Sequence, residues 1–161
     1  MKKIDYDRNK VIGYATKWAL SRNKKYYDFS LIGGDCTNFV SQCVYAGCRV
    51  MNYRLLAGWF YSSPSLRAPA WTGVNEFYNF ATSNQGIGFY AEECLKKDVE
   101  IGDVVQLGNY DGDFYHTLIV SKILDGRIFV CSHSNDALNK PLENFLIKKI
   151  RFLHVLGARS E

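Results

Sequence analysis

Apolar residues recur at helical spacing through the first third of this 161-residue chain and give way to β-branched and aromatic runs in the last third, without alternating again. From Asp5, the residues Val11, Tyr14, Ala15, Trp18 and Ala19 make the stripe of an amphipathic helix that ends near Asn23. A second helical stripe, Cys36, Phe39, Val40, Cys43 and Val44, stops at Gly47 and has Asp35 where an N-cap belongs. Between Met51 and Gly88, Pro64, Pro69 and the runs YSSPS and APAWTG predict loops around one short helix, Val74 to Thr82. The runs VVQL, FYHTLIVSKI, RIFVCSH and KKIRFLHVL are separated by NYDGD, Asp125-Gly126 and SNDALNKP, the pattern of an antiparallel sheet. Helices followed by strands, with no βαβ alternation, predict an α+β fold: N-terminal helices packed on a C-terminal antiparallel β-sheet. A hydrophobic fraction of 47% suffices for a core, and with no repeat or linker residues 1–161 read as a single domain.

The five cysteines, Cys36, Cys43, Cys48, Cys94 and Cys131, are an odd number and contain no CxxC pair. Neither a disulfide framework nor a thiolate zinc site is indicated, and at least one thiol is free. Cys36 has a distinct address. In the first turn of a helix a thiol faces the positive end of the dipole and unpaired amides, which favour a thiolate and stabilise an oxyanion. Gly33-Gly34 before it allows another backbone to approach. Cys43 lies two turns below on the apolar face, Cys48 follows the stop at Gly47, Cys131 sits in a strand and Cys94 has no histidine neighbour; these four read as structural.

A cysteine nucleophile needs a base, and the base needs an orienting group. His154 alternates with Ile150 and Phe152 on the last strand and reads as a core or rim histidine. A two-residue hairpin loop at Asp125-Gly126 sets 116 opposite 135 and 118 opposite 133, so that His116, His133 and Asn135 share one sheet face. A three-residue loop would bring Asp136 opposite His116 instead.

These segments resemble a known family. GGDCTNFVSQCVYAGC is similar to the nucleophile motif of the putative amidase domain family of Firmicutes, a relative of the NlpC/P60 and CHAP branches of the papain-like superfamily. YDRNKVIGYATKWALSRNKKYYDF resembles the family's opening helix and loop, GWFYSSPSLRAPAWTGV its middle and IGDVVQL the strand before the base. FYHTLIV resembles the base strand, and HSNDALNKPL with IRFLHV the close. The resemblance implies a papain-like fold with Cys36 as nucleophile, His116 as general base and His133 at the third polar position, for which Asn135 is the alternative. Asp35 matches the residue before the nucleophile and is expected to cap the helix and shape the site. No glutamine precedes Cys36 at papain-like spacing, so the oxyanion donors are expected to be the Cys36 amide and a neighbour.

The implied activity is hydrolysis of an amide in a peptide or in peptidoglycan, without metal or cofactor, with Trp59, Trp71, Tyr61 and Tyr115 as candidate groove residues. Acyl transfer or deamidation at the same site, and a noncatalytic wall- or peptide-binding module, are the competing readings. The net charge of +4, from 20 basic and 16 acidic residues without a like-charge block, gives no support to nucleic acid binding. No apolar run approaches the roughly 18 residues of a membrane span, and no apolar signal region follows the N-terminal lysines. The expectation is a cytoplasmic protein or one released by lysis, or a secreted one if the chain is cut from a longer precursor.

Overall fold

Asp7 starts the first helix by accepting a hydrogen bond from the Lys10 amide (3.1 Å) in the computed structural model, which describes residues 1–161. Helix α1 therefore runs Arg8–Trp18, inside the stretch that the apolar stripe predicts. The short strand β1 (Lys2–Ile4) precedes it. Helix α2 (Cys36–Cys48) begins at the predicted residue but does not stop at Gly47. A Cβ on Gly47 would lie 2.5 Å from Val11 Cγ2, so this glycine permits the close approach of α1 to α2, and the helix ends one residue later with Arg49 in the left-handed region.

Helix α2 is the centre of the molecule, and all but two of its residues are buried. Phe39, Val40, Cys43 and Val44 join a cluster with Val11 and Ala15 of α1, Trp59, Trp71, and the sheet residues Val104, Ile119, Cys131 and Leu153. Two of its buried polar side chains, Ser41 and Asn38, are matched to the tryptophans. Ser41 donates to the Trp71 carbonyl (2.9 Å) and accepts from Trp59 Nε1 (3.0 Å), while Asn38 Oδ1 accepts from Trp71 Nε1 (3.0 Å). Truncating Phe39 there would cost about 3 kcal/mol or more.

The middle of the chain is more regular than its turn residues suggest. A small hairpin, β2 (Tyr61–Ser63) with β3 (Leu66–Arg67), leads into α3 (Pro69–Thr72), with Pro69 in the first turn, and α4 (Val74–Ser83). The remaining strands are β4 (Gly88–Cys94), β5 (Val104–Gly108), β6 (Phe114–Leu124), β7 (Arg127–Ser132), β8 (Ala137–Pro141) and β9 (Lys149–Ser160). They form an antiparallel sheet in the order β1-β9-β5-β6-β7-β8, with β4 also paired to β9. The fold is α+β, and no helix is long and apolar enough to cross a membrane. Residues alternate along the strands between the two sheet faces. One face packs on the helices; the other carries Val105, Leu118, Val120, Val130 and Phe152 under Leu142.

The β6–β7 hairpin turns on two residues, as the dipeptide predicts: Leu124 pairs with Arg127, and Asp125 and Gly126 both have positive φ (51° and 76°). The register does not persist. Lys122 pairs with Phe129 but Val120 pairs with Val130, so a bulge leaves Ser121 unpaired. Its hydroxyl lies 3.3 Å from the Phe129 carbonyl and 2.7 Å from Asn139 Oδ1. A one-residue slip transfers every later side chain to the other face of its partner.

Candidate active site

Cys36 opens α2 and is 8% exposed, yet it stays outside the hydrophobic cluster that holds Cys43 two turns on. All five thiols are free. Burial pushes the thiols of Cys43 and Cys131 up, and those of Cys48 and Cys94 up to about 11, so none of these four is poised to ionise. The Cys36 sulfur lies 3.8 Å from Thr37 Oγ1. That hydroxyl in turn meets Thr117 Oγ1 on β6 at 2.8 Å. The first turn of α2 is thereby tied to β6 one residue beyond Cys36 and one residue beyond His116.

His116 pairs with Leu107 of β5, its ring packs near Phe145, and neither ring nitrogen has a hydrogen-bond partner in the protein. Burial, reinforced by the Lys140 ammonium, pushes its pKa from 6.5 down to about 4. The ring is therefore neutral at pH 7. No hydrogen bond joins it to Cys36 in this arrangement.

His133 goes elsewhere. Its Nδ1 is 2.5 Å from Asp35 Oδ2, its Nε2 is 2.8 Å from the Trp18 carbonyl at the end of α1, and its ring stacks on Phe39 at 4.0 Å between centroids. A carbonyl and a carboxylate both accept, so the two bonds coexist with a proton on each ring nitrogen or with one shared with Asp35. The structure brings His133 to Asp35 and not to His116. The bulge at Ser121 is the reason: continued past the pair Ile119–Cys131, the shifted register aligns 133 with 117 instead of 118. Ser134 and Asn135 then adopt positive φ (63° and 67°), which turns the chain away before Asn135 can face His116. Asp136 is held by a two-point contact with Arg22 (2.9 and 3.0 Å).

Asp35 flanks α2 as predicted, but its side chain makes no capping bond. Its Oδ1 accepts instead from the Phe29 amide and from Asn38 Nδ2 (both 2.8 Å), while the Asp35 amide donates to Ser134 Oγ (3.1 Å). This buried carboxylate fixes the loop before Cys36, the first turn of α2 and the 133–134 turn against one another. Arg22 adds a cation 3.6 Å from Asp35 Oδ2 and 3.3 Å from Asp28. The D-x-x-N spacing of Asp35 and Asn38 is the sequence trace of this network.

Of the candidate groove residues, Trp59 and Trp71 are fully buried and serve as core against α2. Tyr115 is half exposed, and Tyr61 accepts a hydrogen bond from the Tyr27 amide (2.9 Å). His154 is tied to the buried Asp103 carboxylate at 2.8 Å. No cluster of three His, Cys, Asp or Glu side chains is arranged to hold a metal ion.

The sequence profile described as Putative amidase domain matches residues 5–156. The chain belongs to the putative amidase domain family. This amidase domain is also similar to two proteins of Bacillus subtilis (strain 168): the uncharacterized protein YjcM, 29% identical over 96% of the chain, and the uncharacterized protein YhbB, 34% identical over 73%. In each case the match spans 37% of the relative's length. No solved structure matches. The family description assigns the domain, coarsely, to hydrolysis of amides.

Proposed function

We propose that this amidase domain hydrolyses an amide of a peptide or of cell-wall peptidoglycan through a Cys36 thioester, with His116 as general base, on a papain-like scaffold of the NlpC/P60 or CHAP type. The Cys36 proton passes to an imidazole nitrogen of His116 as the sulfur attacks the carbonyl carbon. His116 returns the proton to the departing amine, and water then cleaves the thioester. The unpaired amides of the first turn of α2 supply donors for the developing oxyanion.

The observation that carries the proposal is Cys36 at the start of α2 within the matched amidase domain, held against β6 by the Thr37–Thr117 hydrogen bond. Thr117 faces α2, so the His116 ring rests on the opposite sheet face beside Phe145, and in this scheme it meets the sulfur by rotation at the start of β6. His116 is a weak base while buried and neutral, and a thiolate beside it would raise its pKa toward the working range. His133 supports the helix terminus through Asp35 in this scheme and moves no proton. The helix-then-sheet order, with the cysteine at a helix start, agrees with a papain-like scaffold.

Mass spectrometry of purified peptidoglycan incubated with the wild type and with Cys36→Ala tests the reaction. New amine-bearing fragments are expected with the wild type alone. Identical digests from both proteins would overturn the proposal.

A further inference from the structure

A cavity of about 360 Å3 lies against the outer side of α2, bounded by Tyr14 of α1, the loop after α1, and the chain just past α2. That volume is enough for a small ligand. Gln42, at its inner wall, sits on α2 six residues after Cys36, about 9 Å along the axis at 1.5 Å per residue.

Three features of the wall point the same way. Five of the eleven lining residues are tyrosines, among them Tyr26 and Tyr61 with ring centroids 5.1 Å apart, and none is Asp or Glu. Two cations, Lys25 and Arg49, face the cavity without a carboxylate partner. Gln42 is only 4% exposed, and its Oε1 accepts from the Tyr14 hydroxyl (2.5 Å), which itself accepts from Asn23 Nδ2 (3.1 Å). The Gln42 amide nitrogen has no partner in the protein and is open to the cavity, where it can donate to a ligand. Burial holds the Tyr26 hydroxyl up to about 12, so it remains a donor at neutral pH.

Arg49 adds backbone evidence. It closes α2 with φ 58° and ψ 25°, a conformation that glycine adopts without strain and arginine does not. Its guanidinium lies 5.1 Å from the Tyr45 ring centroid. A strained residue carrying a charge to the rim of a cavity is retained where the side chain has a use.

We propose that this cavity binds a carboxylate-bearing ligand with a six-membered ring body, the carboxylate meeting Arg49, Lys25 and the Gln42 amide and one ring face lying against the tyrosines. The site stands independently of the reading of Cys36. The chemistry is shared by aryl acids and sugar acids, so the probes are two matched pairs: hippurate with hippuramide, and N-acetylmuramic acid with N-acetylglucosamine. Each is titrated into the chain by calorimetry.

In at least one pair the acid should bind about tenfold or more tightly than its neutral mate, and the pair that does so identifies the ring. Lys25→Gln and Arg49→Gly should each remove most of that preference. Arg49→Gly should also keep or raise the melting temperature, because glycine relieves the left-handed strain, so its loss of binding cannot be assigned to unfolding. Acids that bind no better than their neutral mates, no binding of either acid, or a preference that survives in both variants would overturn the proposal.

Discussion

Thr37 Oγ1 and Thr117 Oγ1 lie 2.8 Å apart, and both threonines are fully buried, so one hydrogen bond fixes the start of α2 against β6. Replacing one partner removes this bond, leaving Thr117 Oγ1 only the longer contact from Gln106 Nε2 (3.3 Å) or Thr37 Oγ1 only the Cys36 sulfur (3.8 Å). Thr117→Val should destabilise the fold by about 2 kcal/mol, and Thr37→Val by a similar amount. The double variant should lose clearly less than the sum, since the shared bond is lost only once. Denaturant unfolding of the four proteins checks the cycle; strict additivity would mean that the bond contributes no coupling.

The Asp35–His133 contact should be among the most sensitive points of the fold. Asp35→Ala leaves His133, the Phe29 amide and Asn38 without their shared acceptor inside the protein. Removing one member of such a buried pair costs about 3 kcal/mol or more, and His133→Ala should cost a comparable amount. A fall in melting temperature of only a degree or two for both would show that water replaces the pair without penalty.

His116 gives stability a pH dependence of known sign. Its folded-state pKa, about 4, lies below its ordinary value of 6.5, so between these values the unfolded chain binds the proton and the folded chain does not. Stability therefore falls as pH drops from about 6.5 to about 4, by roughly 3 kcal/mol for this one group, and this contribution does not change further below about 4. His116→Gln should flatten the decline over that window. A wild-type ring whose NMR titration midpoint lies near 6.5 would contradict the burial argument.

Local chemistry was readable in the sequence and tertiary register was not. The Asp125-Gly126 turn, the start of α2 at Cys36 and α4 follow from residues next to one another in the chain. The bulge at Ser121 depends on Asn139 and on β8, eighteen residues away, and no pattern within FYHTLIVSKI marks it. That bulge decides whether His133 meets His116 or Asp35. β1 was illegible for another reason: KKI has one apolar residue and is a strand because β9 offers it an edge. Trp59 and Trp71 read equally well as groove or core, since a sequence does not say which aromatic rings a buried helix gathers around itself.

The cysteines should separate by role. Cys43→Ala leaves a hole in the main cluster and should cost about 1 kcal/mol or more, whereas Cys36→Ala removes a sulfur outside that cluster and should leave the melting temperature nearly unchanged. Thermal denaturation of both variants compares them directly. A large loss for Cys36→Ala alone would make Cys36 a packing residue.

Alkylation of Cys36 needs no knowledge of the substrate and reads the proposed pair itself. Iodoacetamide in substoichiometric amounts, followed across a pH series by peptide mapping, should label Cys36 ahead of Cys43, Cys48, Cys94 and Cys131, whose thiols burial holds up. In His116→Ala the Cys36 curve should move to higher pH, because the thiol has lost the group that takes its proton. Superimposable Cys36 curves in the wild type and His116→Ala would contradict a catalytic partnership between Cys36 and His116.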